Sequence, residues 1–192
     1  MIDIRKNESI LRCDSNDEIP KGIIRTDGLY ISSNLIEKAE RSNTVPGIIF
    51  FEDGSEMILT LIGNEIDKIT HNLKGFDIKE IKASNWGLYR ILSKDSVYEE
   101  SYSQYMRYIY PNELLKDTFF IRDEKILFKS YPTEKMYTYV FVPCSIPITS
   151  HHPFKSKRFL WSDKKARKQY LREWKKIKKE RKKSKIKYVY RE

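Results

Sequence analysis

The chain is short of the residues that punctuate or staple a small protein. It has seven glycines, seven prolines and two cysteines in 192 residues. Cys13 and Cys144 do not make a disulfide framework; two thiols in a reducing compartment is the expectation, with one bridge between them as the alternative. No apolar run approaches the length that spans a bilayer. The polar stretch from Met1 to Glu18 lacks the hydrophobic segment of an export signal, so a cytoplasmic location is expected (a host cytoplasm if the gene is viral). Scarce glycine and proline, with 13 Tyr, 9 Phe and 40% hydrophobic residues, exclude a disordered chain.

Catalytic signatures are missing as well. There is no G-x-S-x-G elbow and no glycine-rich phosphate loop. Only three histidines occur, His71, His151 and His152. Neighbouring histidines on an extended segment point to opposite sides, and Cys144 stands at a spacing that matches no zinc pattern. His71 ends an expected helix, where a cation suits the dipole. No metal and no cofactor are expected. The acid pairs Glu99-Glu100 and Asp123-Glu124 fall at strand edges or turns, where adjacent carboxylates face opposite ways and are expected to be solvated. No catalytic residue stands out, and the expectation is a protein that is not an enzyme.

What the chain does have is a series of short strands. Gly28 to Ser32 is the first. Val45 to Phe51 and Glu56 to Ile62 flank Asp53-Gly54, a strong hairpin signal. Trp86 to Leu92 pairs with Asp95 to Tyr102. Thr118 to Ile121 and Ile126 to Tyr131 flank a second turn, and Met136 to Val142 alternates up to Pro143. Seven or eight strands in about 115 residues predict a mainly β (α+β) fold, an antiparallel meander closed into a barrel or sandwich. Short helices are expected after Ser33 or Asn34 through Ala39, and from Asn64 to Leu73. Tyr98, Tyr102, Tyr105, Tyr108 and Tyr110 crowd together; barrel filling with hydroxyls paired at the rim is favoured over exposed stacking surfaces.

Several segments, Arg25 to Tyr30, Phe50 to Gly54, Trp86 to Ile91, Asp117 to Ile121 and Tyr139 to Val142, carry a resemblance to small bacterial lipocalin-like β-barrel proteins. It covers much of residues 25–143. The resemblance implies an antiparallel barrel with a non-catalytic role in binding a ligand or partner, and a small apolar ligand becomes one expectation.

The chain divides unevenly in charge. Of its 37 Lys/Arg and 27 Asp/Glu, 18 and 4 fall in residues 155–192, so that segment is +14 and the remainder −4. The expected organisation is an N-terminal segment (1–24), a β-rich body (25–143), a proline-containing linker (144–161) and a basic amphipathic helix or tail (162–192). Ser162 is the expected N-cap, with Asp163 favouring the helix dipole. Phe159-Leu160-Trp161 is the expected anchor onto the body. Tyr170, Trp174 and Ile177 make an apolar stripe for docking or stacking. Lys164, Lys165, Arg167, Lys168, Arg172, Lys175, Lys176, Lys178, Lys179, Arg181, Lys182 and Lys183 are the expected polyanion contacts. Four roles fit them: nucleic acid bound without sequence specificity, an acidic protein surface in a phage or other large assembly, an anionic membrane, the least favoured, or solubility alone.

Overall fold

The computed structural model describes residues 11, 13, 22–33, 44–62, 83–103, 114–129, 135–143, 155 and 160–183. Of Thr44, Ile62, Ala83, Ser84, Tyr102, Ser103, Leu114, Leu115 and residues 181–183 it describes the backbone alone. The expected helices over 34–39 and 64–73, all three histidines, Cys144, the linker residues 144–154, Phe159, Tyr105, Tyr108 and Tyr110 lie outside the described residues.

Eight strands form a closed antiparallel barrel: β1 (Gly28–Ser32), β2 (Thr44–Phe50), β3 (Ser55–Ile62), β4 (Ala83–Ser93), β5 (Ser96–Ser103), β6 (Leu114–Arg122), β7 (Lys125–Lys129) and β8 (Met136–Pro143). Each strand pairs with its neighbour in sequence, and β1 closes the ring on β8 over five residue pairs, from Gly28 with Pro143 to Ser32 with Tyr139. Closure leaves no edge strand exposed. A helix, α1 (Lys164–Lys183), comes after the barrel strands in the chain. The fold is therefore mainly β and agrees with a lipocalin-like barrel. The first resemblance segment opens β1, the second makes the β2–β3 turn, and the Trp86 segment begins within β4.

Local chemistry accounts for the turns. Gly54 takes a φ of 77°, which glycine adopts without strain. The Asp53 carboxylate accepts hydrogen bonds from the Ser55 amide and hydroxyl, which fixes the reversal. Between β6 and β7, Asp123 and Glu124 both have positive φ, 49° and 60°. That is what a two-residue turn matching strand twist requires. These two acids are exposed, as expected of a turn.

Strand alternation sorts the side chains into two faces. Phe50 of β2 and Phe119 of β6 meet edge to face with ring centroids 6.5 Å apart. Strands so far apart in the ring touch only across the lumen. Tyr30, Tyr89 and Phe128 join them through further edge-to-face contacts. Ile48, Val97, Ile126 and Tyr139 complete the buried lumen core. Tyr30 and Tyr89 keep their hydroxyls paired with backbone, accepting from the Arg25 amide and donating to the Phe51 carbonyl. The opposite face of β1 to β3 is just as buried, through Leu29, Ile31, Val45, Ile49, Met57, Leu59 and Leu61. The barrel is thus covered on that side. Beyond the strands, Leu11, Ile24, Leu160, Tyr170 and Trp174 are the buried apolar residues among those described.

Gly28 permits the closing strand pair to approach. A Cβ there collides with the Val142 carbonyl and the Phe141 ring, and the carbonyl is backbone that cannot swing away. Gly28→Ala is expected to cost about 1–3 kcal/mol through overpacking. Urea unfolding should show a lower midpoint with an unchanged slope; an unchanged midpoint contradicts this packing.

Candidate functional site

The expected basic helix exists, and its start is shifted by one residue. Asp163, not Ser162, is the cap: its carboxylate accepts from the Lys165 amide at 2.7 Å, and its carbonyl accepts from the Arg167 amide. A carboxylate at this position satisfies an otherwise orphaned donor and complements the helix dipole.

A chain of bonds moors the helix to the outside of the barrel. Buried Lys155 donates to Asp53 in the β2–β3 turn. The Lys155 carbonyl accepts from the Trp161 indole at 2.6 Å, and the Trp161 ring packs on Tyr170 with centroids 5.3 Å apart. On the other side, the Cys13 amide donates to the Leu160 carbonyl, and the Leu11 amide donates to Glu100 on β5. Lys155, the first cation of the basic block, is thus held in an internal ion pair. Leu160 is fully buried, as its expected anchoring role requires.

Tyr170 and Trp174, one helical turn apart, are buried at 8% and 7% exposure, and Ile177 is half-buried. The structure places this stripe inward, as docking residues. Their ring faces are not open to stack on bases. At about 100° per residue, Lys164, Lys165, Lys168, Arg172, Lys175, Lys176 and Lys179 occupy an arc of about 120° on the opposite side. All seven are exposed and form no ion pair among the described residues. Arg167 and Lys178 stand on one flank, Arg167 half-buried and Lys178 over the Trp174 ring at 5.6 Å. Glu173 and Glu180 lie on the other flank. Arg181, Lys182 and Lys183 continue the helix, their side chains outside the description. The face runs about 30 Å.

A second cluster was not legible in the sequence. Glu56, Glu99 and Asp117 all occupy lumen-facing positions, since Glu56 pairs with Gly87 beside Tyr89, and Glu99 pairs with both Tyr89 and Asp117. Glu56 is fully buried and Glu99 nearly so. The expectation of solvated acids at Glu99 and Glu100 is thus overturned. The two do face opposite ways, but one enters the lumen and the other is buried on the outer face, where it accepts from the Leu11 amide and from the Tyr98 hydroxyl. Tyr98 consequently sits on the outer face and does not fill the barrel. Burial raises the Glu56 carboxyl well above the carboxylate range, with the nearby Glu99 and then Asp117 adding to it. Glu99 is raised by burial, an effect that the neighbouring Glu56 carboxyl and Ser101 hydroxyl partly offset. Asp117 is raised by burial alone. Burial therefore favours the protonated form of Glu56 more strongly than that of Glu99.

An open cleft of about 440 Å³ lies at the tight-turn end, lined by Thr26, Asp27, Phe51, Glu52 and Asp53. No metal-holding group of side chains occurs among the described residues, and none of their helices is long and apolar enough to cross a membrane. No protein-family model, curated protein or solved structure matches this chain.

Two outcomes follow from these environments. Trp174→Ala is expected to remove about 3–5 kcal/mol of packing, enough to undock α1. Amide exchange should then accelerate across residues 164–183 while the barrel strands stay protected; unchanged protection of the helix contradicts its anchoring. The Glu56 carboxyl titrates in the ordinary range when unfolded and well above it when folded. The folded chain therefore holds more protons, and its stability is full below the ordinary range and lost as pH rises through the raised value. Glu56→Gln should flatten that decline in thermal melts from mildly acidic to mildly alkaline pH. A parallel decline in both proteins contradicts the assignment.

Proposed function

We propose that the chain is a non-enzymatic binding protein whose barrel presents α1 to a polyanion, namely nucleic acid held without sequence specificity. The observation that carries this reading is the opposition of two faces on one helix. Seven exposed cations, in no ion pair among the described residues, lie across from two buried aromatic anchors. Lysines and arginines in a line replace condensed counterions along phosphates, which supplies sequence-independent affinity. The same docking argues against the other polyanion surfaces. A membrane-bound helix needs its apolar face in the lipid, and that face is occupied. Base stacking needs exposed rings, and Tyr170 and Trp174 are covered. Phosphate contact remains.

The quadruple substitution Lys168→Gln, Arg172→Gln, Lys175→Gln and Lys179→Gln tests it. All four residues are exposed, so stability should change little. Duplex DNA binding by the wild type should weaken with salt by about 0.9 log units per log unit for each phosphate contacted, and the variant should lower that slope by about 3–4. Equal slopes, or no nucleic-acid binding by the wild type, overturn the proposal. Binding of an acidic protein alone assigns the helix to an assembly instead.

A further inference from the structure

Five buried oxygens of the described residues have no hydrogen-bond partner: Ser32 Oγ, both Glu56 carboxyl oxygens, Asn85 Oδ1 and Glu99 Oε1. Native proteins leave few such atoms, and each one calls for an absent counterpart or a cost in stability. These five are not scattered. Each belongs to a lumen-facing position: Glu56 pairs with Gly87, Asn85 with Ile58, Glu99 with Tyr89, and Ser32 with Tyr139. The Tyr139 hydroxyl in turn feels the Glu99 carboxyl, which links β1 to the acid pair across the lumen.

The chemistry of the set is one-sided. All five atoms accept hydrogen bonds, and two of the residues are carboxyls, with Asp117 a third nearby. Among the described lumen-facing strand residues there is no Lys, Arg or His to answer them. A single proton between Glu56 and Glu99 satisfies two of the five at most. A metal ion is a poor counterpart, because the described carboxyls do not form a metal-holding group. What the set lacks is several N–H donors and one positive charge in a small volume. Gly87 fits this account, since a Cβ at that position collides with Glu56 Oε1 and the Glu100 carbonyl. Glycine there leaves the carboxyl its place against β4.

We propose that the lumen binds a small organic ammonium ion, whose N–H donors are shared by Glu56, Glu99 and the Ser32 hydroxyl. The site is independent of the helix and of its polyanion. The groups facing Glu56 are Tyr89 from β4, Glu99 from β5 and Asp117 from β6. An incoming ammonium ion therefore meets a pair of carboxyls that holds one proton. The ammonium enters in its protonated form, the proton on Glu56 leaves to solvent, and both carboxylates become ionised against one cation. The Phe50 and Tyr89 rings, on the residues paired with Glu56 and Glu99, border the acid pair with apolar surface.

The full chain is to be titrated with n-butylammonium chloride, with tetramethylammonium chloride and sodium chloride as controls. The expected result is a saturable rise in melting temperature with butylammonium alone, because tetramethylammonium carries charge without N–H donors. Calorimetry in two buffers of different ionisation heat should show proton release on binding. Glu56→Gln is expected to weaken binding by about tenfold or more, and Asp27→Asn at the rim to leave it unchanged. Should Glu56→Gln fail to fold, Ser32→Ala, which removes one acceptor and no native hydrogen bond, should weaken binding several-fold. No saturable response in the wild type overturns the proposal. So does an equal response from tetramethylammonium, or wild-type affinity in the lumen variants.

Discussion

Like charges one turn apart on helix α1 repel, and the burial of Tyr170 and Trp174 opposes that repulsion. About nine pairs of described cations stand three or four residues apart on α1, each costing about 0.2–0.5 kcal/mol, or about 2–4 kcal/mol together. Burying two large side chains returns about 1.5–3 kcal/mol each. The margin is small and favourable. It explains why the helix depends on its moorings through Lys155, Trp161 and Leu160, and why its cations point away from the barrel. Salt screening relaxes the repulsion, and phosphates placed along the face relieve it further. Docking and the proposed polyanion binding thus favour the same conformation.

The barrel has a different division of labour. Its lumen is aromatic where Phe50, Phe119, Phe128 and Tyr30 interlock, and acidic where Glu56, Glu99 and Asp117 converge. Carboxyls without a cation are costly in such a place, and burial answers that cost by favouring the protonated form of Glu56. Closure through β1 and β8 fixes the register that brings these acids together. The outer surface of β1 to β3 is covered, so the same strands serve an inner and an outer core.

Much of the fold was legible because strands and turns act locally. Alternation and the Asp53-Gly54 and Asp123-Glu124 turns located every strand to within a few residues. The amphipathic stripe of α1 was equally plain, since Tyr170 and Trp174 repeat at the helical period. The lumen cluster was not. Glu56, Glu99 and Asp117 are 61 residues apart from first to last in the chain, and only the pairing of β3 to β6 joins them. Alternation indicated that Glu99 and Glu100 face opposite ways; it could not reveal that both faces are covered. Lys155 was hidden for a similar reason, because its partner Asp53 lies on a distant turn.

The central claim, that α1 is held by its rings and binds by its cations, is open to one direct observation. Side-chain NMR of the full chain during addition of a short DNA duplex at low salt reads both faces at once. The account predicts shifts at the Lys168, Arg172, Lys175 and Lys179 side chains, with the Tyr170 and Trp174 rings unmoved. Rings that shift while those cations stay silent contradict it.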